Sequence, residues 1–574
     1  MNIKDAKNYI KDSVRIYLKK DEDGEYRIPV VRQRPIFLLG APGIGKTAIM
    51  EQIAQELGIA LVSYSMTHHT RQSALGLPFI VHKEYEGKAY DVSEYTMSEI
   101  IASVYDVMAD SGIREGILFL DEINCVSETL SPSMLQFLQY KVFGRHSVPE
   151  GWVIVTAGNP PEYNKSVREF DVVTMDRLKV LEVEADYKAW KEYARQKRLH
   201  GAILNFLELK KDDFYRIETT VNGRSYVTAR GWEDLSEILH LYEEEGIRAD
   251  ETLVGQYIRN ERVVKEFTAY YDLYNKYKKE YQTEEILDGS VLAHTVERAR
   301  IAPFDERLSL LGMLIDKAAS EVGEDMEISD YLMELLKNLK GIRGALKKSV
   351  QLSVPDMLER QIQARKKQME AARLAGSLSE REQRKGRRIL RFLEEEKKQI
   401  LLREREAGEK GHSLPAEQFS ALKAAFDSQT AQLRKRVENT KKRLENLFVF
   451  VENAFVEGNE MLILVTELTV RSDCARFIGQ FGCEAYHRHS QELMLSERSS
   501  GLWEEVAGGI CIYRAAPDVW RCVSYDTPDV HFRFGKKICG HPADWCGVRD
   551  YSLYRLIENR HLPSAAAAAV SAWN

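Results

Sequence analysis

The sequence contains few cysteines and no strong excess of one charge. Its 574 residues include 7 cysteines, and Cys125 is the only cysteine before residue 474. This spacing excludes a disulfide framework. The formal net charge is −7, from 81 basic and 88 acidic residues. Because neither sign dominates, the composition argues against a protein built mainly to coat nucleic acid, although a local basic stripe is compatible with it.

Long apolar runs are missing as well. No stretch approaches the ~20 apolar residues that a membrane-spanning helix needs. Residues 1–20 mix charged residues with four apolar residues at helical spacing, which predicts an amphipathic helix and not a secretory signal. These four residues are Ala6, Ile10, Val14 and Tyr17. We therefore expect a cytoplasmic protein that makes no membrane contact.

The chain is too long for a single core, and its patterns predict several domains. Residues 1–185 alternate short apolar runs with helical patterns, which predicts an α/β core with a parallel sheet flanked by helices. The candidate strands are apolar almost throughout, as is typical of strands covered on both faces. They span residues 36–39, 60–64, 116–120 and 152–156.

Helical patterns follow this core. Residues 186–278 are rich in Trp, Tyr and Leu and predict an α-helical lid, and residues 279–350 predict a further helical region. Another helical segment is expected over 459–506. Residues 507–574 carry four of the seven cysteines and show weak periodicity, so no domain is predicted there.

Residues 351–458 are dominated by charged side chains with thinly spaced apolar ones. This pattern predicts a long antiparallel coiled-coil hairpin, with one helix over 355–405, a break at 407–415 and a second helix after it. Two interpretations stay open. The hairpin is either a spacer whose charges are solvated or a docking arm for a partner.

A glycine-rich loop follows the first candidate strand. The motif Gly40-x4-Gly45-Lys46-Thr47 stands between that strand and a helical pattern, which is the setting of a phosphate-binding loop. Such glycines let backbone N–H groups converge on phosphate oxygens at a helix N-terminus. Lys46 is expected to reach the β- and γ-phosphates, and Thr47 to bind Mg²⁺. The predicted nucleotide-binding residues of this loop are Gly40, Ala41, Pro42, Gly43, Ile44, Gly45, Lys46, Thr47 and Ala48.

Polar side chains end two later strands. Asp121 and Glu122 follow an apolar strand, at the end where α/β sheets bind ligands. Asp121 is predicted to hold Mg²⁺ beside the nucleotide, and Glu122 to polarise the attacking water. Asn159 ends the next strand, where an amide can orient that water and sense the γ-phosphate. Asparagine is also a common turn residue, so this assignment depends on the order of the motifs.

Two arginines complete the set of catalytic candidates. Arg177 precedes a further apolar strand and is predicted to reach the γ-phosphate of a neighbouring subunit as an arginine finger. Arg230 begins a helix of the predicted lid and could contact the phosphates from there. Taken singly, either arginine would be read as a surface salt-bridge residue.

The order of these motifs resembles that of AAA+ ATPases, and within them the MoxR-like branch. Asp121-Glu122-Ile123-Asn124 is similar to the Asp-Glu-Ile-Asn of that family. Two inserted hairpins of the family have counterparts predicted at 143–148 and 79–92. Cys125 and Leu178 depart from the family pattern, which indicates a divergent subgroup.

This resemblance implies ATP and Mg²⁺ as cofactors and a homo-oligomeric ring, expected to be a hexamer. It also implies chaperone-like remodelling of a protein client, with a partner that carries a von Willebrand A domain. Two alternatives stay open. One is a nucleotide-driven motor of a defence or restriction system that acts on nucleic acid; the other is a slow nucleotide-switched scaffold that works through its coiled coil.

Two groups of possible metal ligands are weaker candidates. His68 and His69 are adjacent but have no third ligand in view, so we expect a solvated loop near a subunit interface. In the tail, Cys539, His541 and Cys546 lack paired Cys-x-x-Cys spacing, which makes a zinc site the less favoured interpretation.

Overall fold

The computed structural model describes most of the chain, in two compact units. The first unit comprises Met1–Tyr281, Phe304–Asp316 and Gly323–Arg436, and the second comprises Gln282–Pro303, Lys317–Val322 and Val437–Asn574. The described residues are 1–68, 74, 76–163, 167–220, 223–348, 353–407, 415–455 and 458–491, with the backbone of 510–516, 519–524 and 527–530.

The first part of the chain is an α/β domain. Its parallel sheet has the strand order β2-β5-β8-β1-β9, and the four predicted strands are β1, β2, β5 and β8 of this sheet. The elements are α1 (Ile3–Tyr17), β1 (Ile36–Gly40), α2 (Lys46–Leu57), β2 (Ala60–Ser65), β3 (Pro78–Tyr85), β4 (Lys88–Tyr95), α3 (Glu99–Ser111), β5 (Gly116–Asp121), α4 (Ser131–Tyr140), β6 (Val142–Phe143), β7 (His146–Ser147), β8 (Trp152–Gly158), α5 (Val172–Met175) and β9 (Lys179–Val183).

Helices cover both faces of the sheet, as the apolar strands require. On one face α1 and α2 pack through Ile10, Met50 and Ile53. On the other face α3 and α4 pack through Val104 and Phe137. All seven residues of the central strand β8 are buried. The predicted parallel α/β core is therefore confirmed, and the loops after β1, β5 and β8 meet at one edge of the sheet.

Both predicted hairpins are present. In the β3–β4 ribbon, Glu86 and Gly87 form the turn with φ of 52° and 76°, which suits a tight two-residue hairpin turn. The short hairpin β6–β7 contacts the base of this ribbon. There, the guanidinium of Arg145 lies 2.6 Å from a carboxylate oxygen of Glu94.

The next region is helical, as predicted, and also contains an antiparallel pair of strands that was not predicted. Its core surrounds the fully buried side chains of Phe206, Trp232 and Phe267. The elements are α6 (Tyr187–Gln196), α7 (Gly201–Leu209), β10 (Arg216–Thr220), β11 (Gly223–Val227), α8 (Ala229–Glu244), α9 (Glu251–Tyr257) and α10 (Glu261–Glu280).

Further helices and one small sheet complete the described chain. Residues 484–491 are also helical, and β12, β13 and β14 form an antiparallel sheet. The elements are α11 (Thr283–Asp288), α12 (Ala293–Ile301), α13 (Phe304–Lys348), α14 (Val354–Leu374), α15 (Glu380–Ala407), α16 (Pro415–Ala454), α17 (Glu460–Val470), α18 (Ser472–Phe481), β12 (Ile510–Ala516), β13 (Val519–Ser524) and β14 (Thr527–Val530).

The prediction of one helix over 355–405 is wrong. Helix α14 ends at Leu374, because Gly376 adopts φ of +66° and the Ser377 N–H donates to the carbonyl of Ala372. This is the usual way in which a glycine ends a helix. Ser379 then caps α15 by accepting a hydrogen bond from the Glu382 N–H.

Helices α14 and α15 pack antiparallel about this turn. Lys366 pairs with Glu394, and Lys397 pairs with Glu359, both at 2.7 Å. Their apolar residues share one cluster with α13 and with the beginning of α16, including Leu335, Leu358, Leu393 and Leu422. The apolar residues of α14 and α15 therefore pack among four helices and not between the two arms of a coiled-coil hairpin.

The turn between α14 and α15 contacts the α/β core. Ala375 is fully buried in the cluster that also contains Ile100 and Val104 of α3, and its carbonyl accepts a hydrogen bond of 2.9 Å from the Leu61 N–H. Leu61 lies on β2, the edge strand of the sheet. This turn thus covers an open strand edge, which would otherwise expose unpaired backbone groups.

The described helices include none that is both long and apolar enough to cross a membrane.

Candidate nucleotide site

The predicted phosphate loop connects β1 to α2. Gly43 and Gly45 adopt φ of +74° and +97°, a region that side chains with a Cβ rarely adopt. Gly45 precedes the first residue of α2, so the loop presents the unpaired N–H groups of that helix toward an open pocket. The loop residues that line this pocket are Pro42, Gly43, Ile44, Gly45, Lys46, Thr47 and Ala48.

Lys46 is held inside the pocket. Its Nζ donates to the carbonyls of Gly40 and Ala41 at 2.7 and 2.9 Å and to Oδ1 of Asn159 at 2.8 Å. Gly40 and Ala41 therefore orient the lysine. Burial lowers the pKa of Lys46 to about 8, because a buried ammonium loses its hydration. An anionic phosphate in the pocket would stabilise the charged form.

Thr47 and Asp121 are suited to hold a divalent cation. The Thr47 hydroxyl donates to Oδ2 of Asp121 at 3.0 Å. A hydroxyl and a carboxylate are hard oxygen ligands of the kind that Mg²⁺ takes together with phosphate oxygens. Both residues line the pocket, so the donor set fits the predicted metal.

Glu122 faces the same pocket from a strained backbone position. Its φ of +56° is unusual for a residue with a side chain, and its N–H is bonded to Oδ1 of Asp121 at 2.9 Å. The Ser65 hydroxyl, at the end of β2, donates to Oε2 of Glu122 at 3.1 Å. Ser65 was not predicted. The sequence offered one signal for this role, because Ser65 directly follows the apolar strand predicted over 60–64.

Asn159 lies immediately after β8 and lines the pocket. Its side chain accepts the hydrogen bond from Lys46, and its carbonyl accepts one of 2.8 Å from Nδ2 of Asn124. The structure therefore places this amide beside the phosphate loop, where the sequence predicted it.

Two groups from the helical region after the core hold the phosphate loop. The Tyr215 hydroxyl donates to the Pro42 carbonyl at 2.9 Å, and the Arg230 N–H donates to the Gly43 carbonyl at 3.3 Å. The Arg230 side chain lines the pocket, as predicted. Tyr215 was missed because it precedes a strand that carries no recognisable motif.

The pocket extends beyond the phosphate loop, to a total of about 440 Å³. At its far end, α1 and α6 face each other, and Lys4 pairs with Glu192 at 2.5 Å. Sequence patterns gave no indication of this end. Its lining residues outside the predicted motifs include Ile3, Lys4, Lys7, Trp190, Tyr193 and Gln196.

Arg177 is not part of this pocket. It is exposed, just after α5, and Val172 and Val173 at the start of that helix are 84% and 58% exposed. The structure thus brings together every other predicted site residue and leaves this arginine outside. That arrangement is compatible with action on a neighbouring subunit, which stays a prediction.

Groups of three or more His, Cys, Asp or Glu that could hold a metal by themselves are absent from the described part of the chain. Among the metal candidates of the sequence, His69 and residues 539–546 lie outside the described residues.

Comparison with protein families agrees with this geometry. Residues 36–175 match the model of the AAA family, the ATPase family associated with various cellular activities. The match covers the phosphate loop, both acidic residues and Asn159. A search of curated proteins found no match to this chain. The chain therefore contains an AAA ATPase family domain, which implies nucleotide binding and ATP hydrolysis.

Proposed function

We propose that this chain, through its AAA ATPase family domain, is the subunit of an ATP-hydrolysing ring motor of MoxR type that remodels a protein client. One observation carries the ATPase part of this proposal. A single pocket is lined by Lys46, Thr47, Asp121, Glu122 and Asn159, which come from three neighbouring strand ends.

Each of these groups has a role in hydrolysis. Lys46 binds the β- and γ-phosphates in place of the carbonyls that it now contacts, and Asn159 orients the attacking water. Bound Mg²⁺, held by Thr47 and Asp121, would neutralise charge on the phosphate oxygens. The water oxygen bonds to the γ-phosphorus while the bond to the β–γ bridging oxygen breaks. Glu122 accepts the proton that this water loses.

The helical region after the core is proposed to act as the lid. Tyr215 and the backbone of Arg230 already contact the phosphate loop, so a change in the loop reaches this region directly. The Arg230 guanidinium would sense the γ-phosphate from this side. Loss of the phosphate would then rotate the lid against the core.

Arg177 is proposed to complete the pocket of the next subunit. Its exposure beside two exposed valines suits a surface that another copy of the chain covers. A planar and permanently charged guanidinium is suited to stabilise charge on a transferring phosphoryl group. We expect the ring to be a hexamer, in line with the MoxR resemblance.

The surface of the β3–β4 ribbon favours a protein client over nucleic acid. The ribbon carries four acidic residues and two lysines, so it would repel a phosphate backbone. It exposes several large apolar side chains, as contact surfaces for polypeptides do. These are Phe79, Ile80, Tyr85, Tyr90 and Tyr95. A partner with a von Willebrand A domain is proposed on the resemblance alone.

The catalytic part is tested by the ATP turnover of Glu122→Gln. We expect a loss of about a hundredfold or more, because the amide cannot accept the proton. Glu128→Gln is the matched control, since Glu128 is exposed and pairs only with Arg168 among the described contacts. Turnover by Glu122→Gln at the wild-type rate would refute the role of this residue.

The client is tested by purification of the Glu122→Gln variant with its bound partners. Recovery of a von Willebrand A protein supports the motor proposed here. Recovery of DNA or RNA would instead support the nucleic-acid motor, and a wild-type protein with no measurable turnover would support the nucleotide-switched scaffold.

A further inference from the structure

Asn124 lies two residues after Glu122, in the short helical turn Ile123–Cys125. It is 5% exposed and does not line the nucleotide pocket. A buried asparagine next to an active site can be a packing residue or a group that holds a neighbour in place. Its contacts distinguish these two roles.

The side chain of Asn124 is directed at the backbone that carries Asn159. Nδ2 of Asn124 donates to the Asn159 carbonyl at 2.8 Å. The parallel ladder of β8 with β1 ends one residue earlier, at Gly158. Asn124 therefore donates a hydrogen bond to the backbone of the first residue beyond the ladder, Asn159.

Gly158 leaves room for this contact. A Cβ at position 158 would lie 2.5 Å from Oδ1 of Asn124, closer than van der Waals contact permits. The main-chain carbonyl of Asn124 accepts a hydrogen bond of 2.9 Å from the Arg168 N–H. Arg168 thus holds the backbone of Asn124, and only a glycine at position 158 of the strand leaves room for its side-chain amide.

Burial of this amide also costs free energy, and a packing role alone does not explain why the protein has an amide here. Oδ1 of Asn124 is buried and has no hydrogen-bond partner among the described residues. An apolar side chain of similar size would fill the same space without a desolvated oxygen. The donor Nδ2 is therefore the part of this side chain that the structure uses.

We propose that Asn124 is a positioning residue that holds Asn159 in the orientation needed to direct the attacking water. This inference rests on the proposed ATPase function. The path is short: Asn124 fixes the backbone of Asn159, and the Asn159 side chain, bonded to Lys46, faces the phosphate loop. Asn124 itself does not line the nucleotide pocket.

The test compares Asn124→Ala, Asn159→Ala and the double variant. We expect Asn124→Ala to lower kcat by about tenfold or more while the ATP KM changes by less than about threefold, since the nucleotide-binding loop is untouched. The double variant should be no slower than Asn159→Ala within about twofold, because Asn124 acts only through Asn159. Independent, multiplicative losses would overturn the proposal, as would a wild-type kcat for Asn124→Ala.

Two further variants separate positioning from folding. Asn124→Asp keeps the shape but places an oxygen against the Asn159 carbonyl, and Gly158→Ala pushes the amide away with Asn124 intact. Both should reproduce the loss of kcat. Asn446→Ala is the matched control, because Asn446 of α16 also donates from Nδ2 to a main-chain carbonyl, that of Leu287 at 2.7 Å, and lies outside the core and the proposed lid. It should lower the melting temperature and leave kcat unchanged.

The outcome also separates this inference from the proposed function. If Glu122→Gln and Asn159→Ala are slow but Asn124→Ala and Asn124→Asp turn over normally, the ATPase assignment stands and only the positioning role is lost. If Glu122→Gln keeps the wild-type rate, both are overturned.

Discussion

The hydroxyl of Thr47 lies 3.0 Å from Oδ2 of Asp121, although 74 residues separate them in the chain. The first residues of α2 and the end of β5 therefore meet at one point. This hydrogen bond places the two predicted ligands of Mg²⁺ side by side, as two ligands of one ion must be.

Asp121→Asn is expected to weaken the binding of Mg²⁺ at the site. The amide keeps the shape of the carboxylate but loses its charge, so the Mg²⁺ concentration for half-maximal turnover should rise by about ten- to a hundredfold. Titration of Mg²⁺ at saturating ATP measures this shift. Asp106→Asn, on the exposed face of α3, serves as control. An unchanged Mg²⁺ titration would exclude Asp121 as a ligand.

Mixed subunits test whether Arg177 acts across an interface. Lys46→Ala subunits should bind no nucleotide but still offer Arg177, whereas Arg177→Ala subunits keep an intact pocket. Random mixing of the two inactive proteins should restore about a quarter of the wild-type rate, because a head-to-tail interface pairs one pocket with one arginine.

Arg248→Ala serves as the control for this mixing experiment, since Arg248 is exposed and pairs with Asp272. Arg248→Ala subunits should be fully active by themselves. Mixing them with Lys46→Ala subunits should lower the rate only in proportion to the share of inactive pockets. No recovery in the Arg177→Ala mixture, at subunit ratios that do form rings, would show that Arg177 does not act in trans.

Lys141 is expected to make stability depend on pH. It is 2% exposed, and its Nζ donates to the Trp152 carbonyl and to Gln33; burial lowers its pKa to about 8, from an ordinary value of 10.5. Between these two values the unfolded chain binds the proton more tightly. The folded state therefore gains stability as the pH rises, by up to about 3 kcal/mol.

This pH effect is measured as a difference between two proteins. The free energy of unfolding of the wild type, relative to Lys141→Met, should increase between pH 8 and pH 10.5, as followed by urea denaturation. The same comparison with Lys188→Met, an exposed lysine of α6, should stay flat. If the free energy of unfolding of the wild type, relative to Lys141→Met, decreases over this range, the expected direction of the pH effect is wrong.

The turn between α14 and α15 is expected to protect the edge of the sheet. Ala375→Asp places a carboxylate in a fully buried position, so the turn should detach from β2. The amide of Leu61, which now bonds the Ala375 carbonyl, should then exchange its hydrogen at least about tenfold faster. Exchange mass spectrometry of peptides from β2 measures this rate. Ala364→Asp, at an exposed position of α14, should leave it unchanged.

Local sequence patterns were sufficient to predict the features that depend only on residues close together in the chain. The apolar strands, the glycine turn of the phosphate loop and the acidic residues at the end of β5 each follow from patterns within a few residues. The sequence also contains a signal for the break after Leu374, because glycine is a common helix terminator and Gly376 follows two residues later, but the charged helical pattern continues on both sides of it. Helical periodicity also did not reveal how many helices would share the apolar cluster around Leu358 and Leu393.

The sequence by itself determined that a nucleotide loop and its acidic partners lie at the ends of parallel strands. Only the tertiary structure decided that Asn124 bonds the backbone of Asn159, that Ser65 reaches Glu122, and that Arg177 stays outside the pocket. The physical reason is the same in each case. These contacts depend on which strands are neighbours in the sheet and on where loops leave it, and no pattern of spacing along the chain specifies those distances.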